Sequence, residues 1–255
     1  MAALIEIETR ADSCETHGDF ESRAIKFGAK VLHWTKCPEC CRIAGEQADA
    51  EKAAADAADR QRRLEAKLDH AGIPLRYRSK DFAAYVADTD GKERARSTAM
   101  EFAQNFGAHY KAGTFAVFSG QPGTGKSHLA IAILQEVMKS RTGLYTSAID
   151  AVRMVRNTWR KDSDKTETQV LQMLASIDLL VMDEIGVQYG TDAEQVTLFD
   201  IIDKRYRDMM PTILLTNLNA KGMKEFLGDR SYDRLREGGI WVAFDWESQR
   251  GRKAA

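Results

Sequence analysis

Long apolar runs are missing from this 255-residue sequence. None approaches the roughly 18 residues that a bilayer-spanning helix needs, so no such helix is expected. A charge excess of one sign is missing too. Lys and Arg number 37 and Asp and Glu 38, a formal net charge of −1. That excludes a chain gripping duplex DNA by bulk charge, although a local basic patch remains open. The opening MAALIEIETR has no cationic stretch followed by an apolar one. No signal peptide is therefore expected, and the location is read as cytoplasmic. Cysteine is scarce as well: Cys14, Cys37, Cys40 and Cys41 are the four, all near the start. A disulfide scaffold would scatter them, so a reducing compartment with metal binding is the expectation. No internal repeat is visible.

Three segments separate by composition. Residues 1–41 hold every cysteine and few periodic runs. Residues 42–72 are rich in Ala, Glu, Lys, Arg and Gln, strong helix formers with few large apolar side chains. They read as a helical linker or a helix that docks on a partner, ended by Gly72, Ile73 and Pro74. From residue 73 to 255 strand and helix patterns alternate. Strands are expected at Thr114–Ser119, Leu144–Ser147, Leu179–Met182, Thr212–Leu215 and Trp241–Phe244. Helices are expected at His128–Lys139, Ala151–Lys161, Glu167–Ser176, Ala193–Met209, Lys221–Leu227 and Tyr232–Arg236. Five strands separated by helices imply an α/β fold, a parallel sheet covered on both faces. Trp241 and Trp246 are expected to fill its core. His70, His109 and His128 carry no partner pattern and read as surface or packed histidines.

Gly120, Gln121, Pro122, Gly123, Thr124, Gly125, Lys126 and Ser127 fit G-x-x-x-x-G-K-[ST] at every position, after a predicted strand and before a predicted helix. The glycines let successive N–H groups turn toward phosphate oxygens, and the helix adds its positive N-terminal end. With His128 behind them, these residues are the candidate ATP contacts. Lys126 is expected at the β- and γ-phosphates and the Ser127 hydroxyl on Mg²⁺. The strand LLVM ends in Asp183 and Glu184. Asp183 is expected to hold Mg²⁺ through water, and Glu184 to polarise an attacking water. Asn217, closing the next strand, is positioned to bond a γ-phosphate or the lytic water. Arg230, Arg234 and Arg236 precede the last strand. An arginine there can stabilise charge on a transferred phosphoryl group, often across a subunit boundary. Arg250 is expected to return to the γ-phosphate of its own site. With five residues after it, no helical lid domain is expected.

GQPGTGKSHLA, IDLLVMDEIGVQ, LLTNLN, LGDRSYDRLR and WVAFDWESQR, in this order and spacing, resemble the DnaC-type replicative helicase loaders of the AAA+ superfamily, sister to the IstB transposition ATPases. The resemblance runs from about Ile73 to Arg252. It implies a core that binds ATP and Mg²⁺, associates with neighbouring copies in a ring or spiral, grips single-stranded DNA and delivers a hexameric replicative helicase. By motif position it implies Arg234 as the finger acting in trans, Arg230 beside it and Arg250 as second sensor. It also implies a DNA-lining helix at Ala151–Lys161, where Arg153, Arg156 and Arg160 recur as one basic stripe with Trp159 as a stacking surface. The rival for this stripe is a solvated face with Trp159 in the core. An IstB-like transposition helper is the alternative for the whole chain. A non-enzymatic, nucleotide-gated DNA clamp is a third reading.

Cys14-x₂-His17 and Cys37-x₂-Cys40 form two ligand pairs, each able to pinch one side of a tetrahedral Zn²⁺, and the 19 residues between them suit a small loop or hairpin. Four protein ligands make such a site structural. Forty residues build little core, and a zinc affinity of about 10–16 kcal/mol can fold a module outright. Cys41 could compete with Cys40, and His33 could replace His17. The resemblance implies that residues 1–71 contact the helicase.

Overall fold

The computed structural model describes residues 5–27, 30–187 and 192–249. The chain forms two compact units, Met1–Glu65 and Ala66–Ala255.

The first unit is an antiparallel sheet followed by a helix. β1 (Ile5–Cys14) and β2 (Gly18–Phe27) form a hairpin in register from Ile5↔Phe27 to Cys14↔Gly18, and β3 (Lys30–Trp34) pairs with β2. Side chains alternate across β2: Ser22 and Ala24 are buried, whereas Glu21, Arg23 and Ile25 are exposed. Ser22 Oγ donates to Thr35 O at 2.7 Å, so the buried hydroxyl is satisfied. The Arg10 guanidinium covers the Trp34 ring at 4.4 Å. Beyond the small loop or hairpin expected between the two ligand pairs, where β2 and β3 lie, these strands were not expected from the sequence, because the buried alternate positions are Ser and Ala rather than large aliphatics. α1 (Pro38–His70) starts on a proline, whose missing N–H costs nothing at a first helical position. It is longer than the expected 42–72 segment and begins four residues earlier. Its last turn belongs to the second unit, where Leu68, Ala71 and Ile73 are buried.

The second unit is built on a parallel sheet. After a 3₁₀ turn (Leu75–Tyr77) come α2 (Asp90–Gln104) and α3 (Phe106–Ala112). Neither helix was expected, because the buried face of α2 is mostly small: Ala95, Ala99 and Ala103 with one Phe102. Then follow β4 (Phe115–Gly120), α4 (Lys126–Val137), β5 (Gly143–Ser147), α5 (Ala148–Asn157), α6 (Glu167–Ser176), β6 (Leu179–Ile185), α7 (Asp192–Arg207), β7 (Thr212–Thr216), α8 (Ala220–Arg236) and β8 (Ile240–Phe244). The five strands run parallel in the order β5-β6-β7-β4-β8. The expected α/β class and the five strands are therefore present.

Strand periodicity divides the core in two. Ala116, Phe118, Leu179, Val181, Ile213 and Leu215 face one side and pack with α2, α3 and α4. Phe115, Val117, Leu180, Met182 and Leu214 face the other and pack with α5, α6, α7 and α8. Trp241 and Trp246, expected to fill the core, pack half-buried against the margins of these two clusters. His109 stacks on Phe102, which accounts for it as a packed histidine. Gly228 (φ 73°, ψ 159°) kinks α8, matching the two short helices expected there. One expectation is corrected. The helix placed at Ala151–Lys161 starts at Ala148 and stops at Asn157, because Thr158 caps it and its hydroxyl turns back to Val155 O.

Arg205 of α7 is fully buried. Its Nη1 donates to Leu174 O, Ala175 O and Ile177 O at 2.7, 3.2 and 2.9 Å, Nη2 to Pro211 O at 2.6 Å and Nε to Thr212 Oγ1 at 2.8 Å. A cation thus satisfies carbonyls at the C-terminal end of α6, the negative end of that helix. Burial pulls its pKa down to about 9. Replacing it by Met keeps volume but strands these acceptors. Arg205→Met is expected to lower stability by about 3 kcal/mol or more, since each buried unsatisfied group costs about 1–3 kcal/mol. Equilibrium urea unfolding checks this.

Candidate nucleotide and metal sites

β4 runs into the glycine loop at the C-terminal edge of the sheet, where ligands of open α/β sheets bind. Two glycines are there for space. A Cβ on Gly120 would sit 2.2 Å from Phe244 O, and one on Gly125 (φ 101°) would sit 2.7 Å from Tyr85 Cε2. The loop is held from the far end of the chain. Trp246 Nε1 donates to Thr124 O, and Gln249 N to Gly123 O, both at 2.8 Å. In a trans peptide the C=O and N–H point to opposite sides. Fastening the Gly123 and Thr124 carbonyls to the tail therefore turns the Thr124 and Gly125 amides the other way, which suits an anion. Gln121 and Pro122 form the exposed tip. Thr124 Oγ1 bonds Gln121 O at 2.8 Å.

Lys126 is buried, and its Nζ donates to Gly120 O, Gln121 O and Asn217 Oδ1 at 2.5, 2.9 and 3.0 Å. The loop lysine and the Asn217 amide are thus brought together across two strands. Ser127 Oγ donates to Asp183 Oδ2 at 2.8 Å, uniting the two residues expected on magnesium. The same oxygen accepts from the Tyr145 hydroxyl at 2.5 Å. Tyr145 was not picked out from the sequence. Ser147 pairs with Asp183 in register, so Tyr145, two residues earlier on the same face, reaches the carboxylate diagonally.

Glu184 sits at an irregularity in β6, where the pairing with β7 shifts between Met182 and Ile185. Its φ of 61° is unusual for a non-glycine residue. Its amide donates to Asp183 Oδ1 at 2.7 Å, and its side chain is exposed. Such an irregularity re-aims side chains, and here consecutive acids leave the strand differently: Asp183 toward Ser127, Glu184 toward solvent. His128 is turned away from the loop's inner side. Its Nε2 donates to Asp81 O at 2.7 Å and its ring meets the Tyr85 edge at 5.2 Å. Burial lowers its pKa.

The arginines differ in their engagements. Arg234 is ion-paired with Asp203, and its guanidinium lies 5.1 Å over the Tyr206 ring. Arg230 is exposed and forms no ion pair among the described residues. Arg250 lies outside the described residues. On α5, Arg153 pairs with Asp150 at 3.1 Å, and Arg156 is exposed. Arg160 falls beyond the end of α5 and pairs with Asp162 at 3.2 Å, so a single helical stripe of three arginines is corrected to two. Trp159 is 59% exposed, with Nε1 bonded to Glu167 Oε2 at 2.7 Å; it does not fill a core.

In the first unit the Cys14, Cys37 and Cys40 thiols and His17 Nδ1 lie within 4.8 Å of one another. Cys14–His17, Cys14–Cys40, Cys37–His17 and Cys40–His17 are 3.7, 3.6, 3.7 and 3.3 Å apart. A tetrahedral zinc with bonds of about 2.0–2.3 Å has ligand–ligand edges of about 3.5–3.8 Å, and these four separations lie within about 0.2 Å of that range. The hairpin end supplies one ligand pair and the start of α1 the other. Backbone N–H groups of Thr16 and His17 pull the Cys14 thiol down to about 6, while its hydrogen bond with Cys14 pushes Cys40 up to about 11. His33 and Cys41 are exposed and not among the four.

A parallel sheet, a glycine loop clamped at its edge and a Ser–Asp pair beside it define a P-loop ATP-binding protein of the AAA+ kind. Residues 49–250 match the IstB-like ATP binding protein family, and the chain belongs to that family. It is 34% identical over 231 residues to the replicative helicase loader DnaC of Escherichia coli K12, covering 90% of this chain and 89% of that one. It is also 38% identical to the uncharacterized protein YdaV of the same strain, over 75% and 76% of the two chains. Among solved structures, the DnaC helicase loader superposes with a TM-score of 0.60 at 23% identity, over 67% of this chain and 99% of that one. The replication initiator DnaA bound to AMPPCP and single-stranded DNA superposes with a TM-score of 0.57 at 25% identity, over 69% and 51%. No described helix is long and apolar enough to cross a membrane.

The tail contact carries a prediction for nucleotide affinity. Trp246→Phe keeps the packing on Phe244 and Gly91 but deletes the bond to Thr124 O. Losing about 0.5–1.5 kcal/mol of loop organisation weakens ATP binding by about 2–10-fold, measurable by titration with a fluorescent ATP analogue.

Proposed function

We propose that this chain is an ATP-hydrolysing loader that delivers a hexameric replicative helicase onto single-stranded DNA. The observation that carries this reading is the relationship to DnaC over nine-tenths of both chains, reaching beyond the ATPase core. In this reading Lys126 and the loop amides hold the phosphates of ATP, with Asn217 beside the γ-phosphate. Ser127 and Asp183 would hold Mg²⁺, whose charge offsets that of the phosphates. Glu184 orients and deprotonates the attacking water, and its exposed position suits a base that meets water before the site closes. Arg234, with Arg230 beside it, acts on the ATP of a neighbouring copy. To do so Arg234 exchanges Asp203 for a phosphate. Arg230, which has no such competitor among the described residues, is available at once. Arg153, Arg156 and Arg160 would track the DNA backbone, with exposed Trp159 as a stacking surface. Cys14, His17, Cys37 and Cys40 would hold a structural Zn²⁺, whose bonds replace the core that this unit lacks. The first unit and α1 would contact the helicase.

Glu184→Gln is expected to keep ATP binding and to lose at least about 10²-fold in phosphate release. The intact chain is expected to retain the cognate helicase in a pull-down and to increase helicase occupancy on single-stranded DNA. Capture of a transposase and duplex DNA in its place would transfer the assignment to the IstB-like transposition helpers. Metal analysis of protein purified without chelator is expected to give one zinc per chain. Cys37→Ser is expected to lose that zinc and the circular-dichroism signal of the β1–β3 sheet, leaving ATP binding intact.

A further inference from the structure

The Asp183 carboxylate is more completely held than a metal-site acid needs to be for its fold alone. A carboxylate offers about four lone-pair sites. Two on Oδ2 are taken by the Ser127 and Tyr145 hydroxyls, at 2.8 and 2.5 Å, and one on Oδ1 by the Glu184 amide, at 2.7 Å. One site on Oδ1 is left. Ser127 can keep its proton on Oδ2 while its oxygen turns to a cation, because a hydroxyl donates once and accepts twice. The Glu184 amide is fixed by the irregularity in β6. The remaining holder, Tyr145, comes from a different strand and has no place in the loop motif.

We infer that Tyr145 is a positioning residue for the divalent cation of the nucleotide site: its hydroxyl locks Asp183 in the one orientation that presents a single Oδ1 lone pair to the cation or its water. This rests on the reading that Ser127 and Asp183 serve Mg²⁺. Tyr145 is suited to the task. It is half-buried on β5, its backbone N–H is anchored on Ala71 O at 2.7 Å, and its ring packs against the core beside α4. Without the hydroxyl, Oδ2 regains a free lone pair and the carboxylate can rotate. Groups that orient metal-binding ligands typically contribute about 10–100-fold to metal affinity.

The test uses the full chain and a fluorescent ATP analogue, titrated in EDTA and across a Mg²⁺ series. Mn²⁺ electron paramagnetic resonance of the nucleotide complex serves as a second readout. Tyr145→Phe is expected to bind nucleotide in EDTA within twofold of wild type, and to need at least about tenfold more Mg²⁺ for half of the metal-dependent gain. In an Asp183→Asn background the same substitution is expected to add less than twofold, because the group it positions is already altered. A Mg²⁺ requirement within twofold of wild type overturns the inference. So does an equal loss with and without metal, which marks a role in folding only. If Tyr145→Phe does not fold by circular dichroism, Tyr145→Leu makes the same comparison. A wild-type chain whose binding gains nothing from Mg²⁺ overturns the Ser127 and Asp183 assignment itself, and this inference with it.

Discussion

The site depends on the approach of β8 to β4. At Gly120 the two strands come so close that a methyl group would overlap Phe244 O. That contact delivers the segment after β8 to the outer side of the glycine loop, where Trp246 and Gln249 take two loop carbonyls. Residues more than a hundred positions apart therefore decide which way the loop amides face. A glycine loop alone is flexible, because glycine loses more conformational freedom on ordering than any other residue. In this chain part of that cost is met by packing from β8 and its tail, so the loop is organised by the fold and not only by a ligand.

The acidic side of the site is organised in a different way. Asp183 and Glu184 are neighbours in sequence, yet β6 loses its regular pairing between them and their side chains diverge. Asp183 is tied by three donors, and Glu184 remains exposed with its backbone at a positive φ. One acid is thus rigid and the other free to meet water. A regular strand would put them on opposite faces of the sheet, with Glu184 in the core cluster formed by α5–α8. The irregularity is what keeps both at the edge.

Much of this was legible in the sequence because it is local. The glycine loop, the acidic pair and Asn217 each sit at the end of a strand rich in large aliphatic residues, and such strands announce themselves. The zinc-type spacing of Cys14, His17, Cys37 and Cys40 was equally local within each pair. What escaped was carried by small or distant residues. The buried faces of β2 and α2 are Ser and Ala, which give no hydrophobic period. Arg205 looks like any surface arginine until α7 and α6 are packed together. Tyr145 belongs to no motif, and its contact with Asp183 follows only once β5 is known to lie beside β6. The arginine stripe failed at Arg160 for a local reason: Thr158 caps α5, which helical periodicity alone does not reveal.

Arg234 adds a constraint on how the proposed loader assembles. Its pair with Asp203 is partly shielded, with side-chain exposures of 23% and 34%, and its guanidinium also lies over Tyr206. Such an arginine is not idle in a single chain. Withdrawing it leaves Asp203 without that partner and gives up a cation–π contact of about 0.5–2 kcal/mol. A neighbouring phosphate repays this only if it arrives with the negative charge and geometry to accept a bidentate bond, as a triphosphate does. If Arg234 acts in trans as proposed, the exchange would favour association with nucleotide-loaded copies over empty ones. Exposed Arg230, with no ion pair to release among the described residues, would supply first attraction but less discrimination. In the proposed assembly the two arginines, four residues apart, would divide the work: one would draw the neighbour in, and the other would make the contact conditional on what the neighbour holds.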